Sequence, residues 1–560
     1  RWDTGPKKAG HRYLAFDKYT GKLLWASQPG GRPKNTTYSM PAITVVDGKR
    51  ILVAGNADGS VYGMMARTGE KLWSCGVSKT GINTSIVADG KYAYVTHSEE
   101  NIQGTEMGSV LCLDASKSGD ITDTGVIWRH DGVAAGYASP ALANGRLYVI
   151  TNSATMIAFD ARTGKKHWEH RLGRAMKGSP VVTADGVIYA TEVNGRFLIL
   201  RDAGDHCEEL DVTEFSRRGD VGVEINGSPA VANGRVYFMT SFEMFCLGNE
   251  GTSALFAAIP EMATEALPVA AKRGVLRVVP PEVTLAPGDR IDFEAQLYDE
   301  NGRRLGMSPP QWSSERLSGV LDGTGSFVAA TDNKFSSGIV RAKFGVLTAE
   351  TRVRISPKLP IHETFDGMTP GKQPPGWIGV DAKTKLVEKD GSVVLQKLAL
   401  RPSAKYARMR SYSGPVIPAG YTVEVDMLGS PKKGRRPKLS DMGLINSRYK
   451  MILLGHEKKL RLVTYSPIPR LQKEVPFDWQ ADTWYRAKFS FDVKGGKGIA
   501  RAKVWPRDGA EPTTWMIEMT DPCPNLEGSP GLYVYSKGAT AKKPGAPVFF
   551  DNYRVYRNEK

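Results

Sequence analysis

Acidic and amide side chains recur at one kind of place along the first half of the chain. They are Asn56 and Asp58 in GNADG, His97, Glu99, Glu100 and Asn101 in HSEEN, Asn152, Glu192 and Asn194 in TEVNG, and Glu243. Oxygen-rich groups converging from several loops could hold a cation or sugar hydroxyls. A solvated loop rim has the same composition, because connecting loops are polar. The set His97, Glu99, Glu100, Asn101, Glu192, Asn194 and Glu243 supplies the candidate ligand-binding residues. A pair of carboxylates, Glu424 and Asp426, stands two positions apart in YTVEVDML, and strand alternation puts both on one face. Other chemistries lack their residues. The five Cys form no CxxC pair, so zinc and thioredoxin-type chemistry have no support. Neither a Gly-rich phosphate loop nor a nucleophile elbow is present.

The elements that position the loop residues are repeats. YLAFDKYTGKLLW (Tyr13 to Trp25), VYGMMARTGEKLW (Val61 to Trp73) and MIAFDARTGKKHW (Met156 to Trp168) share Thr-Gly, three residues, then Trp. The segment Val110 to Trp128 is the same unit with an insertion in its turn. A second signature alternates with the first: an apolar run, Asp-Gly or Asn-Gly, then an alternating apolar run. Its turns begin at Asp47, Asp89, Asn144, Asp185 and Asn233, which are 42, 55, 41 and 48 residues apart. Asn-Gly and Asp-Gly supply the positive φ angles of a type I′ hairpin, so each copy of this signature reads as two antiparallel strands. The Thr-Gly signature adds two more. Four strands every ~40 to 50 residues is the period of a β-propeller blade, whose apolar faces are covered only by stacking on neighbours. The recurrent Trp is expected between blades. The Asp-Gly and Thr-Gly turns fall on one face, and the candidate loop residues fall on the other.

This pattern resembles the pyrroloquinoline-quinone-type propeller repeat, A-x-D-x-x-T-G-x-x-x-W. Ala15, Asp17, Thr20, Gly21 and Trp25 match it in full, as do Ala158, Asp160, Thr163, Gly164 and Trp168; the middle copy has Met65 in place of Asp. The resemblance covers residues 1–250 and implies a partial propeller of about five to six four-stranded units. Propellers of this kind commonly have seven or eight, so a partner or an upstream segment is expected to complete the ring. Quinoprotein dehydrogenases resemble the chain in the blade repeat alone. Their site needs a calcium-binding carboxylate and amide set, a catalytic Asp and often a vicinal Cys pair, and no Cys-Cys occurs here. Non-catalytic propellers, such as the outer-membrane assembly lipoprotein, share the repeat too. No cofactor is therefore expected. Pyrroloquinoline quinone and calcium are the candidates the resemblance would bring.

Residues 251–274 are Ala-, Pro- and Thr-rich and read as a linker. Residues 275–357 alternate strands with Pro-Gly, Asn-Gly and Asp-Gly turns, as a sandwich does. They resemble a group 2 bacterial immunoglobulin-like module through Leu285, Pro287, Gly288, Asp289, Tyr298, Asp299, Gly302, Trp312, Ser313 and Ser314. Residues 358–560 open on Phe365-Asp366-Gly367, carry WYRAKFSF from Trp484, and close on Phe550-Asp551-Asn552. They resemble the concanavalin A-like jelly rolls, in which the first and last strands share a sheet. Laminarinase-type members carry E-x-D-x-x-E on one strand. Here Gly429 stands where the third acid belongs, so the leaving group has no proton donor on that strand. Glu424 and Asp426 are read as non-catalytic, and together with Trp377 they are the candidate sugar-binding residues of the module.

The chain of 560 residues has 75 Lys and Arg against 59 Asp and Glu, a formal charge of +16. The charges are scattered. The densest run, Lys432 to Lys438, has no interleaved aromatics for base stacking, so nucleic acid is not an expected partner. No apolar run approaches the ~20 residues of a membrane helix. Cys112 and Cys246, in apolar strand contexts, are expected to be buried thiols. The fold expected is all-β: partial propeller, immunoglobulin-like sandwich, jelly roll. The function expected is non-catalytic binding outside the cytoplasm, in the periplasm, outer envelope or medium of a bacterium. A protein or polysaccharide of the envelope is the expected partner. A carbohydrate-active hydrolase, a quinone-linked oxidoreductase and a structural envelope scaffold are the alternatives.

Overall fold

Every named element of the computed structural model is a strand, and it describes residues 10–215, 219, 221–248, 265, 272–380, 383–398, 407–432, 439–464, 470–536 and 545–559. Most of the expected linker and the basic residues 433–438 lie outside the described residues. Among those described, no helix is long and apolar enough to cross a membrane. The chain divides into two compact units, one of residues 10–279 with 295–308 and one of residues 280–294 with 309–560.

The first unit carries six successive sheets of two, five, four, four, four and three strands, antiparallel but for one edge strand of the second. Three of the expected hairpins are type I′, with φ of 49° and 74° at Asp47 and Gly48, 52° and 74° at Asn144 and Gly145, and 52° and 71° at Asn233 and Gly234. The other two differ. Asp89 faces Tyr92 across a Gly90-Lys91 loop, and at Asp185 only Gly186 has positive φ. Asp-Gly can place its glycine first in the turn as well as second, and the dipeptide alone does not choose between them.

Five apolar clusters fill the five gaps between consecutive sheets. The repeat explains them. Trp25, Trp73, Trp128 and Trp168 lie in the outer strand of one blade, and each indole N–H donates to the next blade. The acceptors are the carbonyls of Ala66 (3.1 Å), Ala115 (3.1 Å) and Ala161 (3.0 Å), then Asp202 Oδ1 (3.0 Å). The Thr-Gly glycine receives the ring of the preceding blade. A Cβ at Gly69 would stand 2.5 Å from Trp25, and one at Gly164 would stand 2.6 Å from Trp128. Gly21 has nothing within 4 Å of that position. A second ladder runs through the Ser of the other signature. The N–H groups of Met40, Ser85, Ser139 and Ser179 donate in turn to the hydroxyls of Ser85 (3.3 Å), Ser139 (2.9 Å), Ser179 (2.9 Å) and Ser228 (2.8 Å).

Two local departures from the repeat have physical causes. The insertion before Trp128 supplies Gly119–Asp120, a short parallel strand on the edge of Lys71–Gly76 in the preceding blade. Ile121 follows it into the apolar gap, 1% exposed. Met65 replaces the Asp whose carboxylate elsewhere accepts the Thr N–H and O–H, both at 2.8 Å for Asp17 and for Asp160. It is buried because the chain after the repeats folds back over it: a Cβ at Gly302 would be 2.9 Å from its sulfur, and Arg277 Nε donates to the Thr68 carbonyl at 2.9 Å. A carboxylate there would be desolvated.

Cys112 is buried as expected, but Cys246 is exposed, which corrects that expectation. Its strand, Met244–Leu247, belongs to the last, three-stranded sheet, where an apolar side chain has no further blade to pack against among the described residues.

In the second unit the strands of residues 282–292 and 311–355 form two small sheets, with Trp312 packed on Phe293 at 6.5 Å. Residues 361–557 form two larger antiparallel sheets around one apolar core. One contains Tyr421–Gly429 between Val548–Arg557 and Trp484–Lys494. The other runs Arg408–Tyr412, Gly531–Tyr535, Asp441–Asn446, Tyr449–Leu454, Lys459–Thr464, Gln472–Pro476. The opening strand Ile361–Glu363 pairs with the closing strand Val548–Arg557, as expected.

Candidate functional site

Apart from Trp377, the residues singled out by sequence fall at two places: the far ends of the second strands of the blades with the loops that follow them, and the outer face of strand Tyr421–Gly429. The set divides, with Glu100, Asn194 and Glu243 exposed and others enclosed. His97, Asn101, Asn56 and Glu192 are at most 1% exposed. Each strand pair ends where the incoming chain must be held, and the polar side chains hold it. Asp58 Oδ2 accepts the Gly31 N–H at 2.8 Å, Asn152 Oδ1 accepts Gly136 N–H at 3.0 Å, and Glu192 Oε1 accepts Arg174 N–H at 2.7 Å. Glu99 accepts the Thr80 hydroxyl at 2.6 Å, and Glu100 pairs with Lys79. Asn101 Nδ2 donates to the carbonyls of Glu106 and Gly108. Asn194 is exposed and reaches Glu192 at 3.4 Å, while Glu243 is exposed in the sixth blade.

His97 Nε2 lies 2.7 Å from Ser109 Oγ, both buried. Burial, then the nearby Arg129, press its pKa down to about 4, so the ring is neutral at pH 7. These contacts close within a blade and the segment that leads into it. Among the described residues no group of three or more His, Cys, Asp and Glu stands close enough to hold a metal ion.

On the sandwich, alternation places Glu424 and Asp426 together on the face opposite Val423, Val425 and Met427, which enter the core. Asp426 is fully buried and takes Arg486 two-pronged, Nε at 2.7 Å and Nη2 at 3.0 Å, with Asn552 Nδ2 also at 3.0 Å. Glu424 accepts the Tyr556 hydroxyl at 3.1 Å and lies 3.5 Å from Lys488 and 3.7 Å from Arg554. Lys488 and Lys503 in turn share Glu511, at 2.7 and 2.6 Å. The bond to Asp426 holds the Arg486 guanidinium above its usual range. Asp426 is thus committed to Arg486 and Asn552, and Glu424 sits among Tyr556, Lys488 and Arg554.

Sequence reasoning missed Asp551, the register partner of Asp426, whose pKa burial raises. Its signal is the closing Phe-Asp-Asn motif, whose Asp alternates with Phe550. It missed Arg486 and Lys488 too, although their alternation in WYRAKFSF predicts a charged face. Trp377 requires correction as a sugar platform. It is 2% exposed and packs edge-on against Tyr553 at 4.8 Å and beside Phe365 at 6.1 Å, inside the core. A Gly-Trp after two prolines looks like an exposed loop, but the ring turns inward.

Residues 7–122 and 87–272 match the family described as outer membrane protein assembly factor BamB. Both matched stretches lie in the N-terminal half, over the repeats. No curated protein matches the chain in sequence. Solved structures similar to it include BamB from Moraxella catarrhalis, with 16% identity, TM-score 0.31, and 41% of this chain and 63% of that one covered. A mitotic checkpoint complex chain gives 11%, 0.32, 42% and 66%, and the WD40 β-propeller domain of Doa1 gives 12%, 0.28, 40% and 65%. The chain spans less than two thirds of each of them.

Proposed function

We propose that the protein is a non-catalytic binding protein of the bacterial envelope, with the repeat array as a platform for protein partners and the C-terminal sandwich as a carbohydrate- or protein-binding module. The observation that carries this reading is the apolar surface at the two ends of the array. In the first blades Phe16, Tyr19, Tyr38 and Met40 are 57%, 85%, 76% and 68% exposed, and in the last Met239 and Met244 are 61% and 69% exposed. Apolar patches on a folded surface mark interaction sites, and these six side chains supply exposed apolar surface at both ends of the array. The match of residues 7–272 to an outer-membrane assembly factor supports protein partners in the envelope. The closed ion pairs of Glu424 and Asp426 support binding over hydrolysis.

Photo-crosslinking in the native envelope tests the platform. Crosslinkers at Tyr38 and Met244 are expected to trap a discrete protein partner. A crosslinker at Lys166, on an outer strand, is expected to trap none. Equal yields at all three positions would reject the platform.

A further inference from the structure

The second sheet of the C-terminal sandwich presents a face that neither the repeat nor the carboxylate pair explains. Strand Arg408–Tyr412 turns Met409 into the core, so Arg408, Arg410 and Tyr412 share the opposite face. Tyr533 and Tyr535 stand beside them in register. Lys450 lies over the Tyr533 ring at 5.3 Å and Arg408 over the Tyr535 ring at 5.6 Å. On this face Asp441 accepts Gly455 N–H at 2.9 Å, and Glu474 is taken by Lys459 and Arg461, the latter also 3.6 Å from Glu457. Burial first, then Arg410, Arg408 and Arg461, press the Lys450 pKa down to about 8.

At the edge of this face is a cavity of about 600 Å³. That volume is in the range of small-ligand sites, roughly 300–1,000 Å³. The charged residues lining it, among those described, are Lys383, Arg410 and Arg448. Tyr412, Ile378 and Val416 give it an aromatic and aliphatic wall. Lys383 is positioned by its bond to the Arg408 carbonyl at 3.2 Å. Gly379, Gly528 and Ser529 complete the lining.

We propose that this cavity binds an acidic saccharide, with Arg410, Lys383 and Arg448 taking its carboxylate or sulfate and the Tyr412 wall taking the apolar face of a ring. Guanidinium groups bind planar oxyanions in two-pronged fashion, and a sugar ring presents C–H groups to an aromatic one. The inference rests on the binding role of the sandwich and is independent of the platform role of the repeats.

Calorimetric titration of the full chain tests it. The probes are an oligogalacturonate for carboxylate, a heparin disaccharide for sulfate, cellotetraose as a neutral sugar, and a Glu-rich peptide. At least one acidic sugar is expected to bind, about tenfold or more weaker when salt rises from about 0.05 to 0.5 M. Arg410→Gln and Lys383→Ala are each expected to weaken it at least tenfold. Arg448→Asn, at a residue with φ of 66° that Asn tolerates, gives a third variant that leaves the strand intact. Glu518→Gln, paired to Arg501 on the other sheet, is expected to change nothing. Equal binding of cellotetraose overturns the acidic specificity and leaves a carbohydrate-binding sandwich. Binding of the peptide alone overturns the saccharide. Silence from every sugar overturns the inference and the carbohydrate role together, as does acidic-sugar binding that survives all three variants the carbohydrate site assigned here.

Discussion

Asp426 shows how completely a side chain can be committed. With both oxygens on Arg486 and none of its surface exposed, Asp426 loses two charged hydrogen bonds on change to Ala, while Arg486, 27% exposed, keeps Glu424 at 3.9 Å. Hydrogen bonds to a charged group contribute about 1.5–3 kcal/mol. Chemical unfolding of the full chain, followed through the sandwich tryptophans, should show that loss; a change under about 1 kcal/mol would mean the pair is dispensable. His97 makes a prediction in pH. Its folded pKa, about 4, lies below the ordinary 6.5, so the unfolded chain binds the extra proton first. The stability it contributes is present above pH 6.5 and is lost as pH falls toward 4. His97→Gln should flatten the pH dependence of the melting temperature across that window, and an unchanged slope would place the acid sensitivity elsewhere. At this scale the sequence told residue type but not partner. Asp58 meets Gly31 and Glu192 meets Arg174 through chain entering from the previous blade, and no local pattern encodes such a meeting.

Among the elements, the Thr-Gly turn and the Trp are two halves of one contact. Gly21, Gly69 and Gly164 share φ near +70°, but only the last two face an indole. Gly21→Ala should therefore cost about 1–2 kcal/mol for the left-handed backbone alone. Gly164→Ala should add about 1–3 kcal/mol of overpacking against Trp128. Matched melting curves of the two variants separate strain from packing; equal losses would refute the indole contact. Ser179→Ala removes the acceptor of the Ser139 N–H and should cost about 1 kcal/mol, visible as faster amide exchange at Ser139. This part of the fold was legible in advance because Asn-Gly, Thr-Gly and Trp act through sterics of a few residues. The strand Gly119–Asp120 was not, since two residues inside an insertion have no periodicity to read.

For the whole molecule, exposure divides the cysteines. Cys75, Cys112 and Cys207 are buried, with thiols pushed up to about 12 by that burial, and Cys246 and Cys523 are exposed. A maleimide should label those two in the native chain and all five after denaturation. Labelling of Cys112 in the native protein would contradict the apolar gap between the third and fourth blades. The misjudged Cys246 and Trp377 have one cause. An apolar local context says that a residue seeks cover, and only the assembled sheets decide whether cover is there.

The parallel strand Gly119–Asp120 alters how the array can come apart. Blades that touch only through nearest-neighbour contacts can fray one at a time from a terminus, as beads leave a string. Here the third blade reaches back, lays a strap along the second and seals it with Ile121, so these two are tied as a single cooperative block that stepwise pulling or proteolysis would release in one event.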